Sequence, residues 1–127
     1  MILPILFIAE SDNRGRGVFT SEKIPANTTI EISPVIVLSA KERKSIEETL
    51  LYHYIFEWGN NKKKGALGMG YISMYNHNYN ANCVYEMDYD AGTMSIKTVK
   101  AIQAGEELYI NYNALPDDAT PLWFDAI

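Results

Sequence analysis

The apolar runs of this chain are short, rich in β-branched and aromatic side chains, and set off by turn residues, a pattern that predicts strands. Ile2 to Glu10 reads as the first, and Asp12 to Gly17, with its Asp, Asn and glycines, as the turn after it. Val18 to Thr20 and Thr29 to Leu38 follow as further strands. Ser39-Ala40-Lys41-Glu42 has the spacing of a capping box, in which the serine caps the backbone and the glutamate reaches back. It predicts the start of the one helix region, from about Ala40 to Leu50.

Tyr52, Tyr54, Phe56 and Trp58 alternate with His53, Ile55 and Glu57, which predicts a strand with a buried aromatic face. Ile46, Leu50 and Tyr54 also fit helical spacing, so the boundary between helix and strand stays open. Asn60 to Gly65, carrying three lysines, reads as a solvated loop. Cys83 to Tyr89 and Thr93 to Val99 flank Asp90-Ala91-Gly92 and predict a hairpin, and Glu107 to Tyr112 alternates as a last strand. Pro116 and Pro121 bracket an acidic stretch before an apolar tail, Leu122-Trp123-Phe124. The stretch from Ile24 to Ile32 echoes the one from Ile102 to Ile110. Asn27 then stands opposite Gly105, and both residue types tolerate a left-handed backbone in the turn before a strand. Two similar turn-plus-strand units imply a β-clip arrangement.

Composition narrows the class. At 127 residues and 47% hydrophobic, with no linker-like stretch, the chain reads as a single domain over residues 1–127. A net charge of −5 argues against direct nucleic-acid binding and suits a basic partner such as a Lys-rich peptide. Cys83 is the only cysteine, and His53 and His77 are the only histidines, too few for a cysteine zinc cluster or a typical structural metal site. The apolar start, Met1 to Ile8, contains a proline, lacks a basic flank and falls short of a membrane span. No membrane partner is expected. The chain reads as not secreted: cytoplasmic in a bacterium, and cytoplasmic or nuclear in a eukaryotic or viral host.

Three motifs offer chemistry: Arg14-Gly15-Arg16-Gly17-Val18-Phe19, Tyr75-Asn76-His77, and Gly105-Glu106-Glu107-Leu108-Tyr109-Ile110-Asn111-Tyr112. Each has a plain structural explanation. Glycine-rich turns join strands everywhere, an Asn-rich loop can hold a histidine by hydrogen bonds, and a strand tyrosine can simply pack its ring. In this order, however, the trio resembles the SET-domain family of protein-lysine methyltransferases, over most of the chain from Asp12 to Trp123. The long insertion between Ser39 and Ala66 and the zinc-binding post-SET cysteines are absent, so the resemblance is to a minimal SET domain.

That resemblance implies a mainly β fold with several small sheets, one short helix region, and a pseudoknot in which the carboxy-terminal strand region passes beneath a loop near Asn76-His77. It implies S-adenosylmethionine as methyl donor and a lysine of a basic protein or peptide as acceptor. By the same resemblance Gly15, Arg16 and Gly17 approach the methionine and ribose part of the cofactor, Asn76 and His77 hold its other ends, and Trp123 or Phe124 stacks on adenine. Tyr112 closes the Glu-Leu-x-x-x-Tyr motif as the central catalytic residue, with Tyr85 and Tyr54 lining the lysine channel. Asn78 and Ala81 replace the serine and proline of the family pattern, while Asn82 and Cys83 fit it. The site is completed by the short aromatic tail or by a second subunit, as in a homodimer. The competing reading is a non-catalytic β-clip or SET-like binding module.

Truncation before Leu122 is expected to weaken binding of S-adenosylmethionine and S-adenosylhomocysteine alike, since both carry the adenine ring. Calorimetric titration of a folded truncated protein that bound both normally would reduce Trp123 and Phe124 to packing residues.

Overall fold

The structure, a computed structural model, describes residues 1–12 and 15–112. Arg14 and the apolar tail with Trp123 and Phe124 lie outside the described residues. The strands are β1 (Leu6–Ser11), β2 (Gly15–Thr20), β3 (Thr29–Leu38), β4 (Ile55–Trp58), β5 (Lys64–Gly68), β6 (Asn76–His77), β7 (Cys83–Asp88), β8 (Thr93–Thr98) and β9 (Glu107–Ile110). A single helix among the described residues, α1 (Ala40–Ile46), and 3-10 turns at Leu50–His53 and Ile72–Met74 complete the elements. The strands form a four-stranded sheet, β1-β2-β9-β6, and a five-stranded sheet, β4-β5-β3-β8-β7. This is the mainly β architecture expected from the sequence.

β3 ties the larger sheet together by changing partner along its length. Thr29 to Pro34 pairs with β8, and Val35 to Leu38 pairs with β5. Pro34, which has no N–H to offer, stands at the changeover, and its carbonyl accepts the Met69 N–H at 3.0 Å. A bulge between Thr29 and Glu31 breaks the alternation of the strand. Ile30 and Glu31 are both fully buried in consequence, while Ile32 is 43% exposed.

Several expectations hold in detail. The Ser39 capping box forms with both of its hydrogen bonds. Asn27 and Gly105 both take positive φ, 61° and 85°, and the two echoing units touch through the Ile24–Ile102 bridge. Other boundaries move. The first strand begins at Leu6, because Leu3 to Leu6 forms a turn in which the Leu6 N–H donates to the Leu3 carbonyl at 3.1 Å. The helix stops at Ile46, and Tyr52 falls in a 3-10 turn rather than in a strand, so β4 starts at Ile55.

β5 begins inside the expected Asn60 to Gly65 loop. Its Gly-Ala-Leu-Gly sequence has poor strand propensity. Small size is what the site needs, since Gly65 lies against the Arg43 side chain and Gly68 against Ile72. Arg43 fastens this hairpin to α1 by donating to the carbonyls of Lys62 and Lys64 at 2.8 and 3.2 Å. The core draws Val18, Leu108 and Ile110 from the smaller sheet and Ile30, Met94 and Ile96 from the larger.

Gly70, at φ 56°, brings the chain against the Glu31 carboxyl and the Ser33 hydroxyl, where a Cβ would overlap both. Gly92, at φ 67°, has open space where its Cβ would be. Gly70→Ala should therefore lose about 1–3 kcal/mol of backbone strain plus a steric term, and Gly92→Ala the strain alone. Equal loss in urea unfolding of the two variants would show that the approach to Glu31 is not tight.

Candidate active site

β6 is two residues long and pairs in parallel with β9, Asn76 opposite Tyr109 and His77 opposite Ile110. β9 itself lies between β6 and β2, a crossing that places three distant segments side by side. So short a ladder needs supplementary bonds. The Asn82 side chain accepts the Tyr109 N–H at 2.8 Å and donates to the Glu107 carbonyl at 2.9 Å, while the Asn78 N–H donates to the Ile110 carbonyl at 3.0 Å. The side-chain oxygen of Asn78 accepts the Asn80 N–H at 2.8 Å, so the residue standing in for serine still makes a local turn.

Asn76 joins the glycine-rich motif to this ladder. Its amide nitrogen donates to Glu107 Oε2 at 2.7 Å, with Ser11 Oγ at 3.2 Å and the Arg16 carbonyl at 3.3 Å also in reach. The Glu107 carboxyl oxygens only accept here, one from Asn76 and the other from the Tyr109 hydroxyl at 3.0 Å, which fixes the orientation of the Asn76 amide. Gly17 is buried under these groups, and a Cβ there would overlap Glu107 and Asn76. Gly15 serves differently: it is exposed, takes φ 69°, and has nothing within 4 Å of where its Cβ would stand. Arg16 is exposed beside it.

Tyr112 is held at three points. Its N–H donates to His77 Nδ1 at 3.1 Å, its carbonyl accepts the Tyr85 hydroxyl at 3.1 Å, and its own hydroxyl donates to the Tyr75 carbonyl at 2.8 Å. Because His77 Nδ1 accepts, the neutral ring carries its proton on Nε2. Phe56 lies 5.4 Å from the Tyr85 ring and 6.0 Å from the Tyr112 ring, centre to centre. Burial, with smaller effects of Glu57 and Tyr89, holds the Tyr85 phenol well above its ordinary range, so its O–H remains a donor to Tyr112.

A chain of contacts thus links Tyr85, Tyr112 and His77 and, through Asn76, the Arg16 carbonyl and Gly17. Tyr54 is not joined to them by any described contact; its carbonyl accepts the Ser73 hydroxyl at 2.8 Å. Phe56, two residues on, is the aromatic that meets both Tyr85 and Tyr112, and only the alternation of the Tyr52–Trp58 stretch pointed to it. Cys83 is buried, and burial pushes its thiol up to about 12, which leaves it protonated and unsuited to nucleophilic work. Among the described residues no group of three or more His, Cys, Asp or Glu could hold a metal ion, and no helix is long and apolar enough to cross a membrane.

Residues 15–113 match the SET domain family. The chain is 38% identical over 121 residues to the histone-lysine N-methyltransferase, H3 lysine-37 specific, of Schizosaccharomyces pombe, covering 94% of this chain and 77% of that protein. A Plasmodium falciparum structure named as a candidate histone methyltransferase superposes with a TM-score of 0.68 at 29% identity, over 87% of this chain and 95% of that one. A humanized mutant of the Chaetomium thermophilum Polycomb Repressive Complex 2, bound to an inhibitor, superposes with a TM-score of 0.72 at 20% identity, over 91% of this chain and 16% of that one, a likeness of fold alone.

The Asn76–Glu107 contact makes a pH-dependent prediction. Asn76→Asp sets a second carboxyl against Glu107, and two adjacent carboxyls resist joint ionisation in the folded protein but not in the unfolded chain. The unfolded state then binds fewer protons as pH rises, so the variant's deficit in stability should grow from about pH 4 to about pH 8. Urea unfolding of parent and variant at both pH values measures it; a deficit independent of pH would mean that the two groups are not in contact.

Proposed function

The chain belongs to the SET-domain family and is a protein-lysine N-methyltransferase, and we propose that it transfers the methyl group of S-adenosylmethionine to the side-chain amine of a lysine in a basic protein. Residues 1–127 are proposed to act as one minimal SET domain, with Trp123 of the tail covering the adenine. The observation that carries this reading is the three-point hold on Tyr112, one point of it on His77, whose neighbour Asn76 reaches the Arg16 carbonyl and Gly17. The substrate class follows from the charge of −5 and from the relative named for a histone lysine.

The residues present fit the donor. Backbone at Gly15 is exposed and open, which suits close approach of a ligand, and the Glu107 carboxyl beside Gly17 favours a ligand bearing positive charge. Gly15, Arg16, Gly17, Asn76 and His77 would hold it, with Tyr112 at the transfer end. When bound, S-adenosylmethionine supplies an electrophilic methyl group on a sulfonium.

Tyr112 gives its one hydroxyl proton to the Tyr75 carbonyl, so toward the amine and toward positive charge its oxygen can act only as an acceptor. Phe56, Tyr85 and Tyr112 form an apolar wall that disfavours a charged lysine through desolvation, so the amine arrives as the free base. Orientation of two partners by fixed groups is worth up to ~7–11 kcal/mol, enough that no strong side-chain base is required. Tyr54 is assigned to the same channel at the end of the 3-10 turn that leads into β4.

Tyr112→Phe keeps the ring and removes the hydroxyl. Its binding of S-adenosylhomocysteine should stay near that of the parent, while methylation of a Lys-rich peptide falls by ~100-fold, as for loss of one preorganised contact. The assay begins from a basic-peptide array on which the parent turns over. Equal rates for parent and variant would remove Tyr112 from the chemistry, and a parent without affinity for S-adenosylmethionine would favour the binding-module reading.

A further inference from the structure

The acceptor of the Tyr112 hydroxyl is a backbone carbonyl, and something must fix where that carbonyl stands. Tyr75 is almost fully buried, and its own hydroxyl donates to Glu31 Oε1 at 2.8 Å. The other oxygen of the same carboxyl accepts the Tyr71 N–H at 2.8 Å and the Ser33 hydroxyl at 2.7 Å. Tyr71 and Tyr75 are the residues that bound the Ile72–Met74 turn, and no side chain of the turn itself caps it. Glu31 therefore grips this turn at both ends from a neighbouring strand. It is turned inward by the β3 bulge and approached by the chain only because residue 70 is glycine.

A fully buried carboxyl is expensive unless its hydrogen bonds are satisfied, and replacing it by apolar side chains is often neutral or stabilising. Stability alone is thus a weak account of Glu31. Burial, reinforced by Glu31, also holds the Tyr75 phenol well above its ordinary range, so the O–H is a donor at any working pH. The chain of contacts is continuous: Glu31 to the Tyr75 hydroxyl, and the Tyr75 carbonyl to the Tyr112 hydroxyl.

We infer that Glu31 and Tyr75 are positioning residues for methyl transfer, the buried carboxyl fixing the Tyr75 carbonyl and through it the direction of the Tyr112 hydroxyl. This rests on the assignment of Tyr112 to the transfer step. Both side chains are buried, so they are assigned to the rate of the bound complex and not to binding. Removing the Tyr75 hydroxyl lets the turn shift, the Tyr112 oxygen loses its alignment, and the effect vanishes once that oxygen is gone.

The test is a double-mutant cycle on kcat with saturating S-adenosylmethionine and peptide, using the parent, Tyr75→Phe, Tyr112→Phe and the double variant. Tyr75→Phe should lower kcat about tenfold with KM and S-adenosylhomocysteine affinity within about twofold, since small misplacement of a positioned group costs rate steeply. In the Tyr112→Phe background the same change should alter kcat by less than about twofold. Thr98→Val removes a buried hydroxyl that bonds the Pro25 carbonyl and takes no part in the Glu31, Tyr75 and Tyr112 contacts; it should lose stability with kcat unchanged.

An unchanged kcat in Tyr75→Phe, or an equal fractional loss in both backgrounds, or a kcat that falls in Thr98→Val in step with stability, would overturn the inference. Normal kcat in Tyr112→Phe would instead overturn the assignment of Tyr112, on which the inference depends. Should Tyr75→Phe not fold, Glu31→Gln replaces it in the cycle: the Tyr71 N–H can only donate and takes the amide oxygen, which leaves the amide nitrogen facing Tyr75. The expected pattern and the overturning results are the same.

Discussion

The parallel pairing of β6 with β9 is the constraint on which the site depends. It is a two-residue ladder that could not persist alone, yet it sets Asn76 and His77 beside a segment some thirty residues later in sequence. Side chains do what a longer strand would otherwise do. Asn82 imitates a backbone partner for both Glu107 and Tyr109, Asn76 spans to β1 and β2, and His77 accepts from the Tyr112 N–H just beyond β9. The same residues that carry the chemistry of the proposed site are those that hold the crossing together. A change at any of them touches fold and function at once.

Buried polar groups give this small protein its specificity of arrangement. Thr20, Glu31, Ser33, His77, Thr98 and Asn111 are buried with Val18, Ile30, Met94 and Leu108 among the apolar core. In a low-dielectric interior each of these groups constrains its neighbours strongly, because an unmade bond is costly there. Tyr112 shows the result: its N–H, C=O and O–H are all committed to different elements, so the ring has little freedom of position. Hydrophobic packing by Phe56 sets the distance of the wall, and hydrogen bonds set its direction.

Wherever local chemistry decided the outcome, the sequence was legible. The capping box at Ser39, the Asp90-Ala91-Gly92 hairpin, the extent of β3 from Thr29 to Leu38, and the left-handed turns at Asn27 and Gly105 each follow from residues within one element. So did the motifs of the site, since Gly15, Gly17, Asn76, His77 and Tyr112 are recognisable by type and order, and with them came the family. The mainly β class followed from short β-branched and aromatic runs.

What tertiary structure decided were the positions at which local preference was overruled. β5 formed from residues with poor strand propensity: pairing with β3 and β4 holds it, and at Gly68 a Cβ would overlap Ile72. Tyr52 and Tyr54 were drawn into and onto the end of a 3-10 turn, which left Phe56 to meet Tyr85 and Tyr112. Glu31 is the clearest case: period-two reading puts Ile32 inside and Glu31 outside, and one bulged residue reverses them. A sequence displays periodicity and motif, which are local. The partner of Glu31 lies 44 residues away at Tyr75, and the energy that turns the carboxyl inward comes from donors that only the folded chain assembles.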